Sequence, residues 1–185
     1  PHFHLSLQSG CDKTLKAMNR LYDTKLYTDM MNRLRELFDR PVFTTDIIVG
    51  FPGETEEDFQ DTVHFIETVR FLHLHIFPYS QREDTEAAAM PCQIAPEIKK
   101  DRASRLAEIQ SVIKNELLNN FIKSGQKANV LFETYKDGIL KGHSDSFIEF
   151  MCDSNENLRG MTGTVVPVST DGEVITGYLM SSSLS

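Results

Sequence analysis

The sequence has no tryptophan and only three cysteines in 185 residues. Cys11, Cys92 and Cys152 are odd in number, far apart and in no metal-ligand spacing. That excludes a disulfide framework and points to a reducing, cytoplasmic setting. Basic charge is also scarce: 19 Lys and Arg stand against 27 Asp and Glu, a formal net charge of −8. The balance excludes a broad nucleic-acid-coating surface but leaves room for a local basic patch. No apolar run reaches the length of a membrane span, and no basic-then-apolar leader stands at the start, so no membrane partner is expected. Residue 1 is a proline running directly into the strand-like HFHLSL, and we expect a piece of a longer protein.

What is present is ordinary for a globular chain, 40% apolar and 25% charged. Phe3, Leu5 and Leu7 alternate with His2, His4 and Ser6, which predicts a short strand. Asp12 is expected to cap a helix running to about Leu21. Leu26, Met30, Leu34 and Leu37 or Phe38 recur at the spacing of a second helix. Val42 to Val49 predicts a buried strand. Thr55 with Asp58 three residues later predicts a capping box, followed by a stripe of Phe59, Val63, Ile66 and Val69. A third strand is expected from about Leu72 to Phe77. Strand–helix alternation predicts parallel strands with helical crossovers, half of a (β/α) barrel.

Pro96 suits the first turn of a long helix with Ile98, Leu106, Ile109, Ile113, Leu117 and Phe121 on its apolar face, and Gly125 is a plausible stop. Beyond it the texture changes. KANVLFET, SFIEFMC, TGTVVPVS and EVITGYL read as short strands between turn segments, predicting a small all-β barrel or sandwich. The expected domains are 1–123 and 124–185, with a frayed SSSLS tail. The fold class is therefore α/β, a half-barrel followed by a small β-barrel.

Ligands of parallel barrels bind at the C-terminal strand ends. Three such ends are legible: LQSG, GFPGET and FPYSQR. Gln8 and Ser9 offer amide and hydroxyl groups, or form an ordinary turn. Gly50 and Gly53 permit close approach or positive φ, while the acids from Glu54 to Asp58 suit the helix dipole better than they suit an anion site. Phe77 and Tyr79 could stack on a planar ligand, with core packing more expected of Phe77, and Arg82 could meet a carboxylate or phosphate. His73 and His75 share one strand face and read as polar lining, not as a metal site. Arg20 is a solvated helix charge or a long arm into the cavity.

HLSLQSGCDKTLKAMNR, TTDIIVGFPGETEEDF and FPYSQREDTEAA together resemble the radical S-adenosylmethionine tRNA methylthiotransferases. HIFPYSQREDTEAAAM looks most like the branch acting on threonylcarbamoyladenosine beside the anticodon. The resemblance implies that the half-barrel is the C-terminal half of the family's (β/α) barrel, and the tail from about Gly125 is similar to the RNA-binding β domain called TRAM. The resemblance implies a parent enzyme with two iron–sulfur clusters, one held by a C-x-x-x-C-x-x-C motif that is absent here, so the piece alone is expected to be inactive. It implies S-adenosylmethionine contacts at Gln8, Ser9, Ile48, Gly50, Phe77, Tyr79 and Arg20, with Asp46 standing where the family's strand motif often has glycine, and tRNA as partner. Asp46 and Arg82 are candidate substrate contacts. From Ser124 onward there are four Lys or Arg and eight Asp or Glu, so any RNA contact is expected to rest on Lys127, Lys136, Lys141 and Arg159. Phe147 and Tyr178 are candidates for stacking bases, with a core place the safer expectation for Phe147. The rival reading is a non-catalytic RNA-binding or assembly protein that keeps the half-barrel as scaffold. A half-barrel leaves open strand edges, with the strand near Phe3 foremost, so self-association is expected.

Overall fold

The computed structural model describes residues 1–180; the expected frayed tail at 181–185 lies outside the described residues. They divide into two units, Phe3–Gln110 and Pro1–His2 with Ser111 onward.

The first unit is α/β. Strands β1 (His2–His4), β2 (Val42–Val49) and β3 (His73–Pro78) form a sheet in the order β1-β2-β3. β2 and β3 run parallel in the register Asp46↔His75 and Ile48↔Phe77. Beyond β1, Gln8 makes a parallel bridge to Ile47. Strand alternation separates two faces. Phe43, Thr45, Ile47, Val49 and Leu74 are buried on one. Thr44, Asp46, Ile48, His73, His75 and Phe77 occupy the other; Thr44 is buried and the rest are open to solvent in part or in full.

Helices α1 (Asp12–Ala17), α2 (Thr24–Leu37) and α3 (Glu56–Val69) carry the core of this unit. The predicted capping box of α3 is present, with Thr55 and Asp58 bonded reciprocally, and Phe59, Val63, Ile66 and Val69 are all buried. Two expectations are corrected. α1 ends at Ala17 and Leu21 is 96% exposed, while Asp12 sits inside the helix and its Oδ1 accepts the Thr24 N–H at the start of α2. The buried face of α2 is Tyr27 and Met31, one position away from the predicted stripe; Leu26, Met30, Leu37 and Phe38 are exposed. Tyr27 turns inward because its hydroxyl donates to the Leu5 carbonyl at 2.6 Å and its ring packs on Phe65 and Phe71.

After the short helix α4 (Glu86–Ala89), α5 (Pro96–Lys123) contributes to both units. The second unit is a closed barrel of β4 (Ala128–Lys136), β5 (Ile139–Ser144), β6 (Glu149–Asp153), β7 (Thr162–Thr170) and β8 (Ile175–Leu179), ordered β4-β5-β6-β8-β7. Closure between β4 and β7 removes the sheet edges. Val130, Phe132, Leu140, Phe150, Val165 and Ile175 fill it. Strand β5 escaped the sequence reading, because ILKGHS lacks the β-branched density of its neighbours. No helix among the described residues is long and apolar enough to cross a membrane.

Candidate functional site

The C-terminal ends of the three parallel strands lie side by side, each continued by one of the loops singled out above. In the first loop Gln8 adopts φ 72°, a strained value for a non-glycine residue, while buried. It is held there by its own backbone: its N–H donates to Asp46 O at 2.8 Å and its carbonyl accepts from Ile48 N at 2.9 Å. Ser9 is fully buried; its Oγ lies 3.2 Å from Thr62 Oγ1 and accepts the Cys11 N–H. The Ser9 hydroxyl therefore ties the loop to α3. Gly10 is needed for that close packing, since a Cβ would fall 2.7 Å from Phe65 Cβ.

In the second loop Gly50 has φ 72°, and a Cβ there would meet Lys99 Cγ at 2.4 Å. The close approach that glycine permits is thus taken by α5. Glu54 corrects the expectation that all the acids of this segment serve the helix dipole. It is buried, accepts the Gly50 N–H at 2.6 Å, and pairs with Arg102 Nη1 at 2.7 Å. Arg102 also donates to the Glu54 carbonyl at 3.1 Å. Burial pushes the Glu54 carboxyl up, against the opposing pull of Gly50 and Arg102.

At the third end, Tyr79 N donates to Val49 O. Lys99 Nζ donates to the Tyr79 carbonyl at 2.9 Å and stands 5.0 Å from its ring centroid. The Tyr79 hydroxyl is buried without a hydrogen-bond partner. Phe77, expected to be the more core-like of the two aromatics, is 52% exposed, because its strand position faces away from the helices. Ile48 is its register partner.

One row back along the strands, the open face carries a polar cluster. Asp46 Oδ2 accepts from Ser6 Oγ at 2.7 Å and lies 3.2 Å from His4 Nε2. His4 Nδ1 lies 3.0 Å from Thr44 Oγ1, and the His75 ring is 5.6 Å from the His4 ring. Burial would raise the Asp46 carboxyl, but Ser6 and His4 hold it below the ordinary carboxylate range.

The Tyr79 ring packs on Phe51 at a centroid distance of 5.2 Å. The open face thus brings together Ile48, Phe77 and Asp46. Ser9 and Gly50 lie beneath it, engaged by α3 and α5. Arg20, after α1, and Arg82, after β3, are exposed. On the barrel, Lys127, Lys136, Lys141 and Arg159 are all exposed. Lys141 pairs with Thr134, two residues from Lys136, so these two are diagonal neighbours about 7–8 Å apart. Lys127 stands just before the opposite end of β4. Phe147 corrects the core expectation: it is 50% exposed at φ 61° in the β5–β6 turn, stacked on His143, while Ile148 takes the core position. Tyr178 is 57% exposed. Sequence reasoning missed His4, Ser6, Glu54, Lys99 and Arg102. The alternation of His4 and Ser6 in HFHLSL was the available signal for the first two.

These residues fit a flat, partly apolar group such as the adenosyl part of S-adenosylmethionine: Ile48 and Phe77 offer a surface, and the Tyr79 hydroxyl has an unmet hydrogen bond. They do not fit an iron–sulfur cluster. Cys11 and Cys152 are buried, Cys92 is exposed, and no three cysteines converge among the described residues.

Residues 1–66 match the family model described as the Radical SAM superfamily. The chain is 43% identical over 144 residues to the tRNA-2-methylthio-N(6)-dimethylallyladenosine synthase of Endomicrobium trichonymphae, covering 78% of this chain and 34% of that protein. It is 38% identical over 174 residues to the synthase of the same name from Pelotomaculum thermopropionicum, covering 92% and 38%. It is 35% identical over 167 residues to the threonylcarbamoyladenosine tRNA methylthiotransferase of Bacillus subtilis, covering 86% and 36%. The chain therefore spans little more than a third of the length of these curated relatives. The likenesses support the radical S-adenosylmethionine tRNA methylthiotransferase family and take in both named groups without singling out either.

Proposed function

We propose that this chain is the C-terminal part of a radical S-adenosylmethionine tRNA methylthiotransferase that modifies the adenine of N6-threonylcarbamoyladenosine beside the anticodon. The observation that carries the proposal is the open sheet face, where Ile48 and Phe77 are register partners at the C-terminal strand ends, next to the loop of Tyr79 with its unpartnered hydroxyl. When bound, S-adenosylmethionine with its reducing cluster supplies the radical that activates the adenine carbon. The residues of this chain orient the cofactor: Phe77 and Ile48 flank the adenine, Tyr79 satisfies a polar atom, and Arg20 reaches the carboxylate. Asp46 and Arg82 face the substrate. The threonylcarbamoyl branch is favoured by HIFPYSQREDTEAAAM. The small barrel holds tRNA through Lys127, Lys136, Lys141 and Arg159, with the exposed Tyr178 as a stacking surface; the Phe147 ring is already stacked on His2 and His143.

The test uses the parent enzyme on tRNAs bearing either threonylcarbamoyladenosine or dimethylallyladenosine. Methylthiolation of the first and not the second is expected, and the reverse preference overturns the branch assignment. Phe77→Ala should raise the concentration of S-adenosylmethionine needed for half-maximal cleavage at least tenfold; an unchanged value removes Phe77 from the cofactor site. Neutralising the four basic residues should weaken tRNA binding and flatten its salt dependence. The chain alone, treated with iron and sulfide, should form no cluster spectrum and cleave no S-adenosylmethionine. Analytical ultracentrifugation should show self-association through the β1 edge.

A further inference from the structure

The cluster on the open face has the composition and spacing of a metal site, which the cofactor reading leaves unexplained. His4, Asp46 and His75 each offer one ligand atom, and these atoms all lie within 4.8 Å of one another. No other such group of three or more occurs among the described residues. Two ligands bound at about 2.0–2.1 Å on a tetrahedral ion stand about 3.3 Å apart. His4 Nε2 and Asp46 Oδ2 are 3.2 Å apart, a hydrogen-bond separation that is also that of two ligands on one such ion. The His75 ligand nitrogen lies within 4.8 Å of both, on a solvent-exposed strand position.

The surroundings supply what a ligand set needs. Metal-bound histidines are commonly oriented through their second ring nitrogen. Here His4 Nδ1 is matched to Thr44 Oγ1 at 3.0 Å. A hydroxyl either donates or accepts, so Thr44 serves both tautomers. It donates to Nδ1 while Nε2–H bonds Asp46, and accepts from Nδ1–H once Nε2 turns its lone pair to an ion. No net proton change is needed at His4. Ser6 Oγ, at 2.7 Å from Asp46 Oδ2, fixes the carboxylate rotamer. His73 stands edge-on to His75 with ring centroids 4.7 Å apart and limits its swing. Register fixes the set further, because Asp46 and His75 are direct partners on adjacent parallel strands.

We propose that His4, Asp46 and His75 form a three-ligand site for a borderline divalent transition ion of the Zn2+ class. Two imidazoles and one carboxylate select such an ion over Mg2+ or Ca2+, which prefer all-oxygen shells. Three protein ligands leave a coordination position open toward the exposed side of the sheet, where water or a ligand atom binds. The site lies one side-chain row, about 6–7 Å, from the Ile48–Phe77 pair and goes beyond the cofactor role proposed for that pair.

The test is a Zn2+ titration of the untagged 185-residue chain by calorimetry, in a Cys92→Ser background so that the exposed thiol does not compete. One equivalent should bind, and Co2+ should give visible ligand-field bands without thiolate charge-transfer absorption. His4→Gln, Asp46→Asn and His75→Gln should each weaken Zn2+ binding at least about tenfold. His64→Gln, on the exposed side of α3, should leave it unchanged. If no equivalent binds, or if binding survives the His4 and His75 substitutions, the site does not exist. Should a variant misfold by circular dichroism, the wild-type chain still decides. Zn2+ must shift the ring-nitrogen resonances of His4 and His75 in long-range proton–nitrogen spectra, and stationary resonances overturn the proposal.

Discussion

Replacing Arg102 by methionine tests the brace behind the site most directly. The wild-type Glu54 carboxylate, with its side chain 1% exposed, has two close partners: Gly50 N–H and the Arg102 guanidinium, itself 5% exposed. Arg102→Met leaves a buried carboxylate with one N–H. Breaking a buried pair in this way costs about 3–5 kcal/mol. Glu54 escapes by taking up a proton. From an ordinary value near 4.3, protonation at pH 7 costs about 3.7 kcal/mol, so ionisation contributes at most about that much. The sign follows from linkage. The variant raises the folded-state pKa of Glu54 further above its unfolded value, so stability present at low pH is lost as pH rises toward the folded value. The destabilisation should be at most about 3–4 kcal/mol at pH 7 and shrink by at most about 1.4 kcal/mol per pH unit as pH falls toward the already raised wild-type value of Glu54. Glu54→Gln combined with Arg102→Met carries no buried charge at this pair; it should be less destabilised than Arg102→Met by about 2 kcal/mol at pH 7 and show little pH dependence. The chain has no tryptophan, so urea unfolding is followed by far-ultraviolet circular dichroism, with hydrogen exchange at Ile47 and Ile48 reporting on this unit. A loss under about 1 kcal/mol at pH 7, or a loss independent of pH, would refute the reasoning.

Further consequences concern the supporting shell. Gly10→Ala places a methyl 2.7 Å from Phe65 Cβ and 2.9 Å from Thr62 Cα, and overpacking of this kind should cost about 1–3 kcal/mol in urea unfolding. Thr55→Ala removes the hydroxyl that accepts Asp58 N–H in the capping box and should cost about 1 kcal/mol. Burial would raise Asp58, but Lys13 and Thr55 hold its carboxyl below the ordinary range. Its stabilisation is therefore present above about pH 3.9 and lost as pH falls through the lower folded value, so the gap between wild type and Asp58→Asn should close on acidification. Burial pushes the Cys152 thiol up to about 11 and also raises Cys11. Iodoacetamide at pH 8 should label Cys92 alone in the native chain and all three thiols in urea, as mass spectrometry will read.

Periodicity made α3 and β2 legible because their buried positions are apolar or β-branched, apart from Asp58 in the capping box. It failed by one residue in α2, where Tyr27 satisfies its hydroxyl on the Leu5 carbonyl and displaces Leu26 and Met30 from the core face. In α5 the buried stripe includes Arg102 and Gln110, while Ile98 is 43% exposed. Polar residues buried for their hydrogen bonds do not announce themselves in a hydrophobic pattern. The three strand-end loops were legible from glycine, proline and the alternation of strands and helices. What fills the space behind them was not, because Lys99 and Arg102 reach Gly50 and Glu54 across about fifty residues of chain.

That long reach changes what α5 is for. Read from sequence it is a linking helix. In the structure its first turns hold two of the three strand-end loops through two side chains. Lys99 packs on Gly50 and bonds the Tyr79 carbonyl; Arg102 bonds the Glu54 carbonyl and carboxylate, and that carboxylate in turn holds Gly50 N–H. The remaining loop is held by α3 through Thr62, which meets both Ser9 Oγ and Gly10 N–H. The open face therefore presents Ile48 and Phe77 at the ends of strands whose following loops are fixed from behind by buried, hydrogen-bonded groups. A ligand meeting that face encounters a surface whose ordering entropy is already spent in folding, which is the condition for positioning a reactive group to within a fraction of an ångström.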